Sequence, residues 1–224
     1  VRVDHTREDE VAALFARVAR EHGRLDVLAT AVWGGHDGHA TFDEAMAAGQ
    51  QPFWAQPDGQ WARTMDAGPY AYYLAAVHAM RLMAPRKAGL IVGVTDYYFD
   101  GAPDDPAGGG QMLDVLAHRV IERLQRAMSV DATPAGVAVV TLMPGFMRTE
   151  RVELYLDGNE RLKKAFRYDL SESPEYLGRA VAALAADRQA TAKSGAVCFV
   201  ADLAREYGFT DVDGRQPPRF APFG

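Results

Sequence analysis

Cysteine is almost absent from this sequence. Cys198 is the only cysteine in 224 residues, so no disulfide can form within the chain. A chain that folds without disulfides is typical of a reducing compartment, and we expect a cytoplasmic protein. Long apolar runs are missing too, because no stretch approaches the ~18 consecutive residues of a membrane-spanning helix. No charged start precedes an apolar run, so neither a membrane span nor a signal peptide is expected.

Positive charge is in deficit. The chain has 24 Lys and Arg against 30 Asp and Glu, which gives a formal net charge of −6. Nucleic acids and anionic membrane surfaces attract the opposite balance, so neither is expected as a partner. Repeats, low-complexity tracts and linkers are also missing. With 48% hydrophobic residues, the chain suits one domain spanning 1–224.

What the sequence does contain is an alternation of apolar runs and helical patterns. Nearly unbroken apolar runs are typical of parallel strands that are buried on both faces. They lie at 25–32, 90–95, 136–143 and 195–200, after a short extended run at 1–4. Helical spacing of apolar residues marks four segments. They lie at 8–22, with Thr6 as its expected cap, and at 60–83, 111–132 and 173–186. Strands separated by helices predict an α/β fold with a doubly wound parallel sheet.

Several segments resemble the short-chain dehydrogenase/reductase family. HGRLDVL at 22–28 is similar to the segment that leads into the family's fourth strand, and GLIV at 89–92 is similar to its fifth strand. GVAVVTLMPGFMRT at 136–149 is similar to the sixth strand and the Pro-Gly-x-x-x-Thr loop that follows it. Phe53, Trp54, Trp61 and DLAREYGFTDVDG at 202–214 resemble a branch with a longer loop after the fourth strand. The similarity covers nearly the whole chain. It implies a Rossmann-like fold and NAD(P)-linked oxidoreductase ancestry.

The resemblance also implies that the fold's first two strands are absent from this chain. In the family, the first strand leads into a Gly-rich turn and a helix N-terminus that hold the dinucleotide pyrophosphate. A strand at 1–4 would lie two strands away from the one at 25–32, and the sheet edges between them would be unpaired. We therefore expect an upstream segment of roughly 60 residues in the native protein, or pairing with another chain.

The family's catalytic Tyr and Lys positions hold other residues here. By resemblance, Asp114 stands at the Tyr and His118 at the Lys, four residues later and on the same helical face. The Ser position falls at Asp96, with Thr95 one residue off, and the Asn position falls at Asp66. An aspartate with its ordinary pKa of ~3.9 is a base at neutral pH, whereas carbonyl reduction needs a proton donor. Conventional hydride transfer is therefore not the expected activity.

Three interpretations of this site stay open. In the first, the site is degenerate and the fold is retained for binding or assembly. In the second, hydride transfer persists, with Tyr97 or Tyr98 supplying the phenol. In the third, Asp114 and His118 form a general-base dyad for a non-redox step such as dehydration, isomerisation or cyclisation.

Metal binding is a variant of the third interpretation. Asp66, Asp96, Asp114 and His118 would converge in this fold, and such side chains can ligate a divalent ion. No histidine pair elsewhere has trustworthy metal-ligand spacing. We do not predict a resident metal.

The cofactor implied by the resemblance is NAD or NADP. Its expected contacts are Asp4 near the adenine, Thr30 after the fourth strand, and Pro144, Gly145 and Thr149 at the nicotinamide and its phosphate. The substrate is expected to be a small, bulky or aromatic molecule, because aromatic residues would wall the pocket. They are Phe53, Trp54, Trp61, Tyr70, Tyr72, Tyr97 and Tyr98. By resemblance, a homo-oligomer forms through the helices that contain Asp66 and Asp114.

Overall fold

A computed structural model describes residues 1–35, 44, 47, 51–96 and 112–220. These residues form a four-stranded sheet in the order β1-β2-β3-β4, and every neighbouring pair is parallel. The strands are β1 Val27–Thr30, β2 Gly89–Val94, β3 Val137–Met143 and β4 Val197–Phe199. Helices lie between them, so the predicted α/β fold with a parallel sheet is confirmed. The apolar runs at 25–32 and 195–200 overestimated the paired lengths of β1 and β4.

The helices are named in chain order. They are α1 Glu8–His22, α2 Ala71–Met83, α3 Met112–Ala132, α4 Glu150–Leu156, α5 Glu160–Ala165, α6 Pro174–Ala186 and α7 Val200–Tyr207. Short 3₁₀ turns lie at Phe53–Ala55, Ala84–Arg86, Thr133–Ala135, Tyr168–Leu170 and Ala190–Lys193. No helix in this part of the chain is long and apolar enough to cross a membrane.

Alternate residues of β2 and β3 face two apolar cores, because successive strand residues point to opposite faces. On one face, Leu90, Val92 and Val140 pack against α6 and α7. On the other, Ile91 and Val139 pack against α1 and α2. All seven residues of β3 are buried. This two-sided burial explains why the strand reads as an unbroken apolar run.

The start of the chain differs from the prediction. Residues 1–4 form no strand, because none of the described strands lies beside them to supply ladder hydrogen bonds. Arg7, and not Thr6, occupies the N-cap position of α1, and it makes no side-chain cap. The Thr6 hydroxyl instead donates to Asp4 Oδ1 over 2.7 Å. The expected Thr6 cap is therefore wrong.

The predicted helix at 60–83 is broken beside the candidate site. Its first part contains a π-helical stretch, Ala62–Tyr70, in which Ala67 (φ −86°, ψ 19°) and Gly68 (φ −128°, ψ −109°) leave helical geometry. Pro69 follows directly, and a proline inside a helix removes a hydrogen bond and clashes with the preceding turn. Regular helix resumes only at α2.

Candidate active site

The candidate site lies at the carboxyl edge of the sheet. Thr30 ends β1, Thr95 directly follows β2, and Pro144 directly follows β3. Because the strands are parallel, their carboxyl ends meet at one edge, which is where open α/β sheets bind ligands. The structure therefore brings three of the predicted positions to the same edge.

His118 is fixed by the residues that follow β2. Its Nδ1 accepts the backbone N–H of Asp96 over 3.2 Å and lies 3.3 Å from the Thr95 hydroxyl oxygen. His118 is 7% exposed and Thr95 only 2%. Because Nδ1 acts as an acceptor, the neutral ring holds its hydrogen on Nε2. If Nδ1 were protonated, its N–H would face the N–H of Asp96, and two hydrogen-bond donors would oppose each other.

Trp33 covers the same imidazole ring. The two ring centroids are 4.2 Å apart, and the ring planes differ by 30°. Gly68, at the break in the helix, lies behind the indole: a Cβ built there would be 3.2 Å from Trp33 Cζ3. The absence of a side chain at position 68 thus leaves room for the indole. The sequence did not predict this contact of Trp33.

Asp114 is buried in the first turn of α3, at 7% exposure. Its spacing of four from His118 sets both side chains on the inner face of this helix, with Ala117 and Ile121. An acidic residue in a helix's first turn interacts favourably with the helix dipole. The predicted juxtaposition of positions 114 and 118 on one helical face is therefore present.

The expected four-residue cluster does not form a metal-ligating group. Among the described residues, no three His, Cys, Asp or Glu side chains are grouped so that they can hold a metal ion. Asp96 meets His118 through its backbone N–H. Asp66 lies in the π-helical stretch, where its carbonyl oxygen accepts from the N–H of Ala71. The expected convergence of Asp66, Asp96, Asp114 and His118 is therefore not found among the described residues.

The predicted cofactor residues have definite partners. Asp4 is exposed, and its carboxylate accepts from the Thr6 N–H over 2.9 Å. Thr149 is the N-cap of α4, where its hydroxyl oxygen accepts the Val152 N–H over 3.3 Å. That bond leaves the hydroxyl hydrogen of Thr149 able to donate. Tyr97 and Tyr98 lie outside the described residues.

Gln125 is a buried polar residue beside β2 that the sequence did not predict. It is 1% exposed and lies on the inner face of α3, seven residues after His118. A Cβ on Gly93 of β2 would stand 1.6 Å from Gln125 Nε2, so this glycine makes room for the amide. The sequence did contain a clue, because Gln125 is a polar residue at a helical position whose spacing predicts that it faces the core.

Glu172 is a second missed residue and lies beneath the loop that follows β3. It is 1% exposed, and a Cβ on Gly145 would be 2.9 Å from its Oε2. Burial raises the pKa of the Glu172 carboxyl to about 7; the nearby Gly145 N–H opposes this rise, and the charge of Asp211 adds to it. No signal in the sequence marks it, because a glutamate between two serines has the pattern of a solvated turn.

The aromatic residues predicted to wall the substrate pocket lie in different environments. Tyr72 is 3% exposed and donates to the Val94 carbonyl over 2.6 Å, so it belongs to the core, and burial raises its pKa. Phe53 and Trp54 are 67% and 77% exposed. They line an open cavity of about 580 Å³ at the start of α3, whose other lining residues are Gln51, Pro52, Met112, Val115, Leu116 and Arg119.

Known proteins resemble this chain in both sequence and fold. A family model described as Enoyl-(Acyl carrier protein) reductase matches residues 1–202. Dehydrogenase/reductase SDR family member 1 of Mus musculus and of Homo sapiens are each 34% identical, over 95% of this chain and 66% of their own length. The chain thus spans slightly less than two thirds of these relatives. Cis-4-hydroxycyclohexanecarboxylate dehydrogenase of Sinomonas cyclohexanicum is 30% identical over 95% of this chain and 76% of that protein.

Solved structures agree in fold. YwfH, an NADPH-dependent reductase involved in bacilysin biosynthesis, superposes with a TM-score of 0.69 at 20% identity, over 89% of this chain and 74% of its own. ElxO with NADP bound gives 0.72 at 14% identity, over 89% and 75%. Such identities show a common fold alone, but the family model and the relatives at 30% identity or more show descent. This chain belongs to the short-chain dehydrogenase/reductase family.

Proposed function

We propose that this protein is a short-chain dehydrogenase/reductase of NAD(P)-linked ancestry that does not transfer hydride by the conventional Tyr–Lys mechanism. The main supporting observation is the environment of His118. Its Nδ1 accepts the Asp96 N–H, and its ring packs against Trp33 at an angle of 30°. A lysine ammonium only donates hydrogen bonds, whereas this Nδ1 accepts one. The hydrogen bonding at position 118 therefore suits a neutral imidazole and does not suit a lysine ammonium.

The proton chemistry points the same way. Carbonyl reduction needs a group that gives a proton to the substrate oxygen. A phenol is a far weaker acid than a carboxyl group, and the resemblance puts the carboxyl group of Asp114 where the family has its phenol. By that resemblance, the tyrosine and lysine that normally supply this proton are replaced at positions 114 and 118.

We further propose that the crevice at the sheet edge still binds NAD or NADP. The NADPH dependence and the bound NADP named for two solved neighbours are the comparative support. In this chain Thr30 and Pro144 lie at the strand ends, and the Thr149 hydroxyl keeps a hydrogen for a phosphate. A bound NAD(P)H would supply a hydride. Asp4 and Gly145 complete the proposed contact set.

Nucleotide titration of the intact native protein tests this proposal. NADH and NADPH fluorescence is expected to change on binding, while no NADPH is consumed with cyclic or aromatic ketones. Steady NADPH oxidation that is abolished by Tyr97→Phe or Tyr98→Phe would instead establish the displaced-phenol mechanism. Absence of nucleotide binding would remove the cofactor half of the proposal.

A second candidate is a non-redox acid/base enzyme. It is favoured by the placement of Asp114 and His118 on one buried helical face, with Nε2–H as the hydrogen that the neutral imidazole can donate. In such a step, Asp114 would accept a proton and His118 would donate one. Turnover of a hydroxy or carbonyl compound without nucleotide, lost in Asp114→Asn, would support this candidate over the first.

The ligand and assembly are proposals of the same kind. We propose a small, bulky or aromatic substrate, because Phe53 and Trp54 wall the cavity and one relative is named for a cyclohexane carboxylate. We also propose a cytoplasmic homo-oligomer. Leu116 on α3 and Tyr73 on α2 are 41% and 48% exposed, and apolar surface of this kind favours association.

A further inference from the structure

The backbone of Glu172 holds the loop at 144–149 in place. Its N–H donates to the Phe146 carbonyl over 2.9 Å, and its own carbonyl accepts the Arg148 N–H over 2.8 Å. Its side chain then lies beneath Gly145, with Oε2 2.9 Å from where a Cβ would stand. Glu172 thus contacts this loop through both its backbone and its carboxyl group.

The carboxyl group of Glu172 is enclosed, and the nearby Gly145 N–H is the donor that acts on it. The residue is 1% exposed, and among the residues described neither carboxyl oxygen has a side-chain hydrogen-bond partner. The Tyr176 hydroxyl, one helical turn further on, is buried in the same way. An ionised carboxylate that has left water needs donors or a cation to replace its hydration. This enclosure suits the neutral acid.

The charges around Glu172 are already paired with one another. Arg148 forms an ion pair with Asp211, with 3.4 Å between Nη2 and Oδ2. Asp211 also accepts the Ser173 N–H over 2.9 Å and the Ser173 hydroxyl. A second negative charge on Glu172 would face the charge on Asp211, while the cation of Arg148 is shared with it. Arg148, Asp211 and Tyr176 are the titratable groups that act on Glu172.

We propose that Glu172 is a positioning residue that holds the loop at 144–149 in its binding geometry only while its carboxyl group is neutral. When the proton is lost, the buried charge pulls water in and displaces Gly145 and its neighbours. The ligand end of the site then opens or closes with pH, through a residue that does not touch the ligand. This inference rests on the proposed nucleotide site for its ligand, and on the loop contacts alone for its mechanism.

The test compares Glu172→Gln with Glu175→Gln. The first variant keeps the neutral shape at all pH values, and the second removes the same charge from an exposed position three residues later. Without ligand, the melting temperature of wild type should fall relative to Glu172→Gln as pH rises from 6 to 8. The Glu175→Gln variant should follow wild type. Identical pH profiles for wild type and Glu172→Gln would overturn the proposal.

Nucleotide binding supplies the second measurement. Because the pKa of the Glu172 carboxyl group is about 7, its neutral fraction drops about tenfold between pH 6 and 8, and the NADPH dissociation constant should rise by about that factor. In Glu172→Gln it should stay constant. If no variant binds NADPH but the melting profiles differ, the loop mechanism is supported and the nucleotide proposal fails.

Hydrogen exchange of the wild-type protein tests the same mechanism without any variant, in case Glu172→Gln does not fold. The amide hydrogens of Glu172 and Arg148 are both donated within the loop pairing, so they report its integrity. After correction for intrinsic pH dependence, their exchange should accelerate between pH 6 and 8. Unchanged protection over that interval would overturn the proposal without any variant.

Discussion

The indole of Trp33 lies against the imidazole of His118, with 4.2 Å between the ring centroids. The two residues are 85 positions apart, and they meet because Trp33 follows β1, while Thr95 and Asp96, which hold His118, follow the neighbouring strand β2. One face of the imidazole is thus covered by protein. A ligand cannot approach the imidazole from the face that Trp33 covers, which limits the geometry of any proton transfer at this residue.

Replacing His118 by Ala should destabilise the fold. The change removes the acceptor of the Asp96 N–H and the ring on which Trp33 packs. Loss of a buried hydrogen-bond acceptor costs about 1–3 kcal/mol, and the lost packing adds to this. Urea denaturation measures the change, with the exposed His22→Ala as control. Equal stability of the two variants would show that the contact is unimportant.

The pair formed by Gly93 and Gln125 can be tested by a double-mutant cycle. Gly93→Ala should cost about 1–3 kcal/mol, because the new methyl group meets a buried amide in a packed core. Adding Gln125→Ala removes that amide, so the double variant should lose clearly less than the sum of the single losses. Denaturation curves of the four proteins give the coupling. Strict additivity would show that the two positions do not contact each other.

Several of these features lay beyond sequence reasoning. The strands and most helices were predictable, because burial on both faces leaves apolar runs and helical spacing that are visible locally. The break at Ala67–Gly68 was also signalled, by Pro69, but helical spacing on both sides hid it. Glu172 could not have been found, since the groups that act on it are distant in sequence: Asp211 lies 39 residues away and Gly145 lies 27 residues away. Contacts of this kind leave no periodic pattern.

The contribution of Asp211 to folding stability should depend on pH in the acid range. Burial by itself raises the pKa of this carboxyl group, but hydrogen bonds from Ser173 and Val212 and the charge of Arg148 outweigh it, so the pKa is lowered. Its contribution is therefore complete above the unfolded pKa of 3.8 and is lost as pH falls through the lower folded value.

Asp211→Asn should cost about 3 kcal/mol at pH 7, because it leaves the buried ion pair with Arg148 incomplete. The difference from wild type should shrink below about pH 4. Thermal unfolding between pH 3 and 7 measures both effects, with the exposed Asp213→Asn as control. A constant difference across this range would show that the charge of Asp211 contributes nothing.

Self-association should depend on the exposed apolar side chains of α2 and α3. Leu116→Glu places a charge on a side chain that is 41% exposed, so it should weaken an oligomer while leaving the monomer folded. Sedimentation velocity would show a shift toward the monomer. The exposed Val130→Glu, near the end of the same helix, is the matched control. A monomeric wild type would contradict the proposed assembly.

The all-parallel sheet also governs how this chain reaches its native state. Val27 pairs with Leu90, Gly89 with Val137 and Thr141 with Val197, so the paired residues lie 63, 48 and 56 positions apart along the chain. Such non-local pairing makes folding slow and leaves apolar strands exposed meanwhile. Slow synthesis at low temperature and assistance by chaperones should therefore raise the yield of this protein.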